Sequence, residues 1–559
     1  MSLEQGEIMK MLSNGRRVAL VSMSALAIAM SGAAVAAFSG TAVAAAPQTA
    51  AEPALPEVAE RSLSDLSHAL ETGQVTSEQL VRAYLARIAA MDRKGPGLRS
   101  IIAVNPQALA EAKALDAERK AGHVRGPLHG IPIVIKDNIE LAGPLPTTAG
   151  SLALKDNVTN RDAPVVALLR KAGAIVIAKT NLSEWANIRS TNSMSGWSAV
   201  GGLVRNPYAL DRTSCGSSSG TGAAVAASFA AAGLGTETDG SVTCPSSMNG
   251  LVGLKPTIGL VSRTHIVPIS HSQDTAGPMG RDVRDVAMLF SAMVGSDPAD
   301  PATKDADAHR ADYAAGLSAD ALKGVRIAVM RPDMPDALKS RFDAQLEMLK
   351  AAGATLVDVE RPKTEGMGDA EFDVLKMELK SDLNKYLAST PAAVKTRTLA
   401  DLIAFDKAHA DQEMPYFGQE IFTMAEKTGG VEDPAYEGAR ETSRTLAATA
   451  IDTMLKTAKA TIIVAPTYGM PWLSDTVYGD QFSGPSSSGL PAISGYPHLT
   501  VPMGLVKGLP VGLSFIGRPY SEAKLLDAGY AYEQKANARV APGYAASANS
   551  GPALDGFDR

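Results

Sequence analysis

Two stretches far apart in the chain carry one pattern: LRKAGAIVIAKTN, Leu169–Asn181, and LKAAGATLVDVE, Leu349–Glu360. Each runs from a helical segment through a glycine into an apolar, β-branched run. Glycine stops a helix there because it takes the left-handed turn that other residues resist. The run that follows reads as a buried strand. VRIAVM (Val325–Met330) and ATIIVAPT (Ala460–Thr467) add two more strands of the same kind. Strands alternating with helices imply an α/β layered sheet. Thr76 and Gln79 make a capping box for a helix running to about Met91, with Leu80, Val81, Tyr84, Leu85 and Ile88 on its apolar face. The span 369–458 reads as mostly helical and polar enough to cover one side of the sheet.

The first residues have a different character. Arg16-Arg17 precedes an uncharged run, Val18–Ala51, that ends in small residues, and Ala42-Val43-Ala44 fits an A-x-A cleavage site. Residues 1–46 are therefore expected to be a secretory signal peptide, with a partial match to twin-arginine export. An uncleaved anchor is the rival reading, because the run is long enough to span a bilayer. Serines, Gly32 and many alanines dilute it and favour cleavage. The Ala/Pro/Glu-rich residues 47–60 read as a linker, and 541–559 as a disordered tail. After cleavage no stable membrane association is expected.

A net charge of −6 implies no basic surface for nucleic acid. Cys215 and Cys244 are the only cysteines, too few for a disulfide framework or a zinc cluster. The eight histidines lack metal-ligand spacing, so neither a metal nor a cofactor is expected.

GIPIVIKDNIE, Gly130–Glu140, poses a sharper problem. An interior-looking strand, Ile131–Ile135, ends in Lys136, and lysine is rarely buried. Either the strand simply emerges into water, or Lys136 sits in a dry site, loses its proton and acts as a base. A base needs a partner. The best source is Ser214–Arg263, which passes from a Ser/Gly turn through an alanine helix to a second turn, GTETDGS (Gly235–Ser241). Glycine backbones can aim several N–H groups at one point, and a serine ending such a loop can be a nucleophile. Gly216–Gly220 also satisfies the G-x-S-x-G elbow, which would make Ser218 the nucleophile, with His498 the best available histidine. RNPYALDRTS before it is a poor strand, which weighs against that reading. Phosphate-loop patterns are not completed.

The block resembles the signature of the amidase signature family. It has CGSSSGTG, GTETDGS and GLKPTIGLVSR where members carry closely similar elements; KTNLSEW at Lys179, SQDTAGPM at Ser272 and GLPVGLSFIG at Gly508 also fit. The resemblance spans roughly residues 60–536, strongest to secreted bacterial peptide amidases. It implies a single three-layer α/β/α domain, residues 61–540, with a large mixed central sheet covered by helices. It also implies a Ser–Ser–Lys triad: Ser241 as nucleophile, Ser217 as the bridging serine in a cis-like peptide, Lys136 as base. The oxyanion loop falls on Thr238, Asp239, Gly240 and Ser241. Asp239 departs from the commoner form, which has glycine there. The span 369–458 is expected to wall the cleft.

The implied activity is hydrolysis of primary amides, C-terminal peptide amides above all, through an acyl-enzyme, by an exported protein whose partner is a small-molecule or peptide amide. The alternatives are a general aliphatic or aryl amidase and the amidase subunit of a tRNA-dependent amidotransferase, against which the export signal argues. Cys215 and Cys244 flank the two serines and should lie close. Two free thiols are favoured over a bridge, because glycine turns impose their own geometry and a disulfide tolerates little.

Overall fold

The computed structural model describes residues 55–549. The signal peptide expected over 1–46, the first part of the linker and residues 550–559 lie outside the described residues.

Thirteen strands are found among them: β1 (Ile101–Val104), β2 (Pro132–Lys136), β3 (Ile175–Thr180), β4 (Trp197–Ser198), β5 (Gly202–Leu203), β6 (Ala232–Glu237), β7 (Val252–Lys255), β8 (Thr275–Gly280), β9 (Arg326–Met330), β10 (Thr355–Val359), β11 (Ile462–Pro466), β12 (His498–Val506) and β13 (Leu509–Ile516). Eleven form one sheet in the order β1-β3-β2-β6-β8-β7-β12-β13-β11-β9-β10, and β4 pairs with β5 alone. The sheet is mixed. Strands β3, β2 and β6 run parallel to one another, as do β11, β9 and β10, while the pairings from β6 through β8, β7, β12 and β13 to β11 are antiparallel.

Both helix–glycine–strand units form as read. The helix Pro164–Lys171 leads into β3 and the helix Asp336–Ala351 into β10. Gly173 and Gly353 connect them at φ +94° and +98°, and a Cβ on Gly173 would lie 2.6 Å from His129 Cα. The Thr76–Gln79 capping box is present on the helix Ser77–Met91, which buries Leu80, Val81, Tyr84 and Ile88.

Side-chain alternation shows that both faces of the sheet are covered. Ile327 and Val329 of β9, with Ile462 and Val464 of β11, join the large core. Their neighbours Ala328, Met330, Ile463 and Ala465 join a second core built with the helix Tyr436–Ala458. Successive strand residues point to opposite faces, so one strand feeds two layers. The helices of 369–458 add a satellite core of their own around Leu379, Leu383, Leu402 and Phe422.

The described part of the expected tail is docked, a correction to the reading of 541–559 as disordered from its first residue. Tyr544 N donates to Pro207 O (2.9 Å), Leu210 N to Ala545 O (2.9 Å) and Ser547 Oγ to Asp211 Oδ2 (2.6 Å). Three satisfied donors hold residues 544–547 against the 207–211 loop. No helix among the described residues is long and apolar enough to cross a membrane.

Candidate active site

Lys136 is the last residue of β2 and fully buried. The parallel register sets β2 between β3 and β6, with Ile135 opposite Lys179 and Leu234. The lysine therefore points into the start of the second glycine turn. Its Nζ donates to Ser217 Oγ (2.7 Å), Thr236 Oγ1 (2.8 Å) and Thr236 O (3.3 Å). Asn138 Nδ2 also donates to Thr236 Oγ1 (3.0 Å). Burial drives the lysine down to about 7, against a smaller opposing pull from Asp274 and Glu237. The strand-end lysine is thus a dry amine held near its point of neutrality.

Its neighbour Asp137 is fully buried too. Asp137 pairs with Lys179 of β3 (2.9 Å), and Lys179 Nζ donates in addition to Ile139 O and Thr147 Oγ1, both at 2.8 Å. Lys179 thus gives the buried Asp137 carboxylate its counter-charge.

The two serine turns meet as expected. The Gly216–Ser217 peptide is cis. Ser218 N donates to Ser241 O (3.1 Å), joining the turns through their backbones. The second turn is closed by Glu237, whose Oε2 accepts from Val242 N (2.8 Å) and Thr243 N (2.9 Å). That carboxylate satisfies N–H groups opening the short helix Thr243–Met248. Gly240 takes φ +76°, and a Cβ there would fall 2.0 Å from Tyr468 Oη. The N–H groups of Asp239, Gly240 and Ser241 donate to no acceptor among the described residues. They form an open donor set beside the Ser241 hydroxyl. Among the described residues no hydrogen bond joins Ser217 Oγ to Ser241 Oγ, so one link of the expected relay is not made.

Cys215 and Cys244 form a disulfide, Cα–Cα 5.9 Å. This overturns the preference for two free thiols. The bridge starts two residues before Ser217 and ends three after Ser241. The glycine turns do not keep the cysteines apart; they bring the chain segments together.

Thr238 Oγ1 donates to Asp274 Oδ1 (2.6 Å), and Gln273 Nε2 reaches Thr238 O (3.4 Å) and Glu371 Oε1 (3.0 Å). Desolvation raises Asp274 to about 6. It also raises the carboxyls of Asp239 and Glu371, which repel one another. Asp239 is exposed by its residue surface and lines a cavity of about 200 Å³ with Ser486, Ser487 and Gly489. A larger cavity, about 780 Å³, is lined in part by Asn138, Thr236 and Thr238. Asp382, Lys385, Tyr386 and Arg440 contribute to it, so the 369–458 helices do wall the cleft.

The rival elbow does not assemble. Ser218 Oγ is spent on Thr236, donating to its O (3.1 Å) and accepting from its N (3.2 Å). His498 Nε2 lies 2.6 Å from Ser514 Oγ, and burial pushes the ring down to about 3. Among the described residues the one cluster with metal-ligand geometry is His271, Glu378 and Asp382. Its atoms satisfy one another and nearby protein groups: Asp382 Oδ2 accepts from His271 Nδ1 (2.8 Å), and Glu378 accepts from Tyr436 Oη (2.6 Å) and Ser272 Oγ (2.9 Å).

Several residues around the site are not singled out by the sequence. Thr236, Asn138, Gln273 and Asp274 lie inside the motifs named above, some of them only one or two positions from the assigned residues. Glu371 and Arg440 lie in the span expected to wall the cleft, and Tyr468 follows the strand stretch Ala460–Thr467, but nothing in the sequence singles out these three residues.

The amidase family model matches residues 79–526. A probable amidase of Arabidopsis thaliana is 38% identical over 499 residues, covering 87% of this chain and 92% of that protein. A glutamyl-tRNA(Gln) amidotransferase subunit of Symbiobacterium thermophilum is 34% identical, covering 85% and 96%. The solved structure of a peptide amidase from Stenotrophomonas maltophilia superposes with TM-score 0.82 at 48% identity, covering 87% of this chain and 99% of that one. The match runs through both serine turns and the lysine strand, and on it the chain belongs to the amidase family and is an amide-hydrolysing enzyme.

Proposed function

We propose that the enzyme hydrolyses C-terminal amides of peptides, releasing ammonia, with Ser241 as nucleophile, Ser217 as proton relay and Lys136 as base. The observation that carries the reading is the buried contact between Lys136 Nζ and Ser217 Oγ at 2.7 Å, beside the open amides of Asp239, Gly240 and Ser241. An amide carbonyl is a poor electrophile with a poor leaving group, so it needs a base, an oxyanion site and an acid.

Neutral Lys136 takes the Ser217 proton as Ser217 takes that of Ser241. Ser241 Oγ bonds to the carbonyl carbon, and the oxygen becomes an oxyanion facing the loop amides. A hydroxyl both donates and accepts, so the same path runs backwards. Lys136 returns its proton through Ser217 to the nitrogen, the carbon–nitrogen bond breaks, and ammonia leaves an ester on Ser241. Water then attacks that ester by the same relay, giving the acid and free Ser241. The missing Ser217–Ser241 hydrogen bond is a contact that substrate binding is expected to tighten.

Similarity to a peptide amidase supports the peptide-amide class, as does a cavity of about 780 Å³, large enough for several residues. The disulfide supports an exported, oxidising location. The test compares kcat/KM for an amidated dipeptide with acetamide, benzamide and glutamine. Preference for the simple amides or for glutamine refutes the assignment. Ser241→Ala should abolish the acyl-enzyme, trapped by hydroxylamine and weighed by mass spectrometry.

A further inference from the structure

The larger cavity carries more charge than the chemistry of the amide requires, and its charges do not cancel. Three carboxylates line it: Asp274, Asp300 and Asp382. Each already has donors. Asp274 accepts from Thr238 Oγ1 (2.6 Å), Ile269 N (2.8 Å) and Ser270 N (3.0 Å). Asp300 holds Arg263, from its N at 2.9 Å and its Nε at 2.8 Å. Asp382 holds His271, through N and Nδ1, both at 2.8 Å. Of the cations, Arg263 is thereby matched, and Arg161 is matched by Glu140, Nη2 to Oε1 at 3.0 Å.

Two cations are left over. Arg440, on the helix Tyr436–Ala458, has no carboxylate within ion-pair reach among the described residues, and its Nε is buried without a hydrogen-bond partner. Lys385, on the helix Met367–Ala388, lies exposed on the same cavity wall and is likewise unpaired there. A half-buried guanidinium with an unspent donor is costly unless something else satisfies it. Arginine presents a planar fork that fits a carboxylate with two parallel hydrogen bonds, and lysine adds a mobile point charge.

We propose that Arg440, assisted by Lys385, forms a subsite for an anionic group of the substrate: the side-chain carboxylate of an acidic residue upstream of the scissile amide. The proposal rests on the peptide-amide reading. The cavity begins at Thr236 and Thr238, beside the nucleophile loop, and extends to the helical wall that bears both cations. On this proposal, a chain whose terminal amide reaches Ser241 would lay its preceding residues along that path.

The test uses acetylated tripeptide amides with Glu or Gln at the first or second position, as kcat/KM ratios. Glu and Gln have nearly the same shape, so the ratio isolates charge. One position should favour Glu about tenfold, the size of a half-buried charge-assisted pair. Arg440→Gln should bring that ratio to within about twofold of one, and Lys385→Gln should lower it partway. Rising salt should reduce the wild-type ratio, since part of the cavity is open to water. A mere loss of folded enzyme lowers both rates together and leaves the ratio unchanged, so the readout separates recognition from stability. A wild-type ratio near one at both positions, or a Glu preference that survives Arg440→Gln, overturns the subsite. If the Gln peptides are hydrolysed and the Glu peptides are no better, the subsite alone fails. If no peptide amide is turned over while acetamide is, the peptide-amidase reading fails and takes the subsite with it.

Discussion

Lowering the pH should switch the enzyme off through Lys136. Burial sets that amine to about 7, against an ordinary value of 10.5. Only the neutral amine can take the Ser217 proton. The neutral share is then roughly nine-tenths at about pH 8 and about one-hundredth at about pH 5, so kcat/KM should fall about ninetyfold between them. An unshifted lysine would instead be about 0.3% neutral at about pH 8 and its rate would keep climbing towards about pH 10. The assay is ammonia release from a neutral peptide amide at low substrate, which follows the free enzyme. The expected curve has one acid limb, an inflection near 7 and a plateau above it. Asp274 pulls the lysine upward, so Asp274→Asn should move the inflection to lower pH, by about half a unit to one unit. A flat profile down to pH 5, a rate still rising at pH 10, or an inflection that moves upward in Asp274→Asn would refute the buried-base argument.

The other expectations concern the frame around the proposed triad. Thiol titration of the unfolded, unreduced chain should find no free thiol, and reduction with alkylation should lower kcat/KM about tenfold or more, because the bridge ties the two serine turns and small misplacements are costly; unchanged activity would count against a positioning role. Gly240→Ala should cut activity sharply, since its Cβ would meet Tyr468 Oη at 2.0 Å in a left-handed turn, and Tyr468→Phe should restore part of the loss by removing that oxygen. Lys179→Met leaves Asp137 buried without its counter-charge and should destabilise the protein by about 3–5 kcal/mol in urea unfolding; an unchanged midpoint would count against a stabilising pair.

Local chemistry makes part of this legible. Gly173 and Gly353 mark the helix ends because few other residues accept their backbone angles, and the capping box at Thr76 is satisfied within four residues. Lys136 stands out because its context contradicts its type. What stays hidden depends on distant segments converging. The Cys215–Cys244 bridge follows from how the Ser218 N–Ser241 O contact closes two turns, and no spacing encodes that. The pairing of Asp137 with Lys179 needs the β2–β3 register. Arg440 looks like any helix-surface arginine until the fold places it on the cavity wall. The tail reads as disordered because its composition is small and polar, yet its backbone groups find partners on the 207–211 loop.

The strand order has a consequence for biosynthesis. Within the large sheet, the strands from β1 to β8 form one contiguous patch and β9 to β11 another, and no strand of the first pairs with any of the second. Only the hairpin β12–β13 connects them, β12 to β7 and β13 to β11. A ribosome must therefore release almost the whole chain before the two half-sheets can fuse. Until then β7 and β11 each offer a bare edge, the kind of surface that recruits other chains. A nascent chain halted before His498 already contains Lys136, Ser217 and Ser241, yet it is expected to aggregate rather than hydrolyse anything. The last hairpin is the keystone that turns two sticky halves into one enzyme.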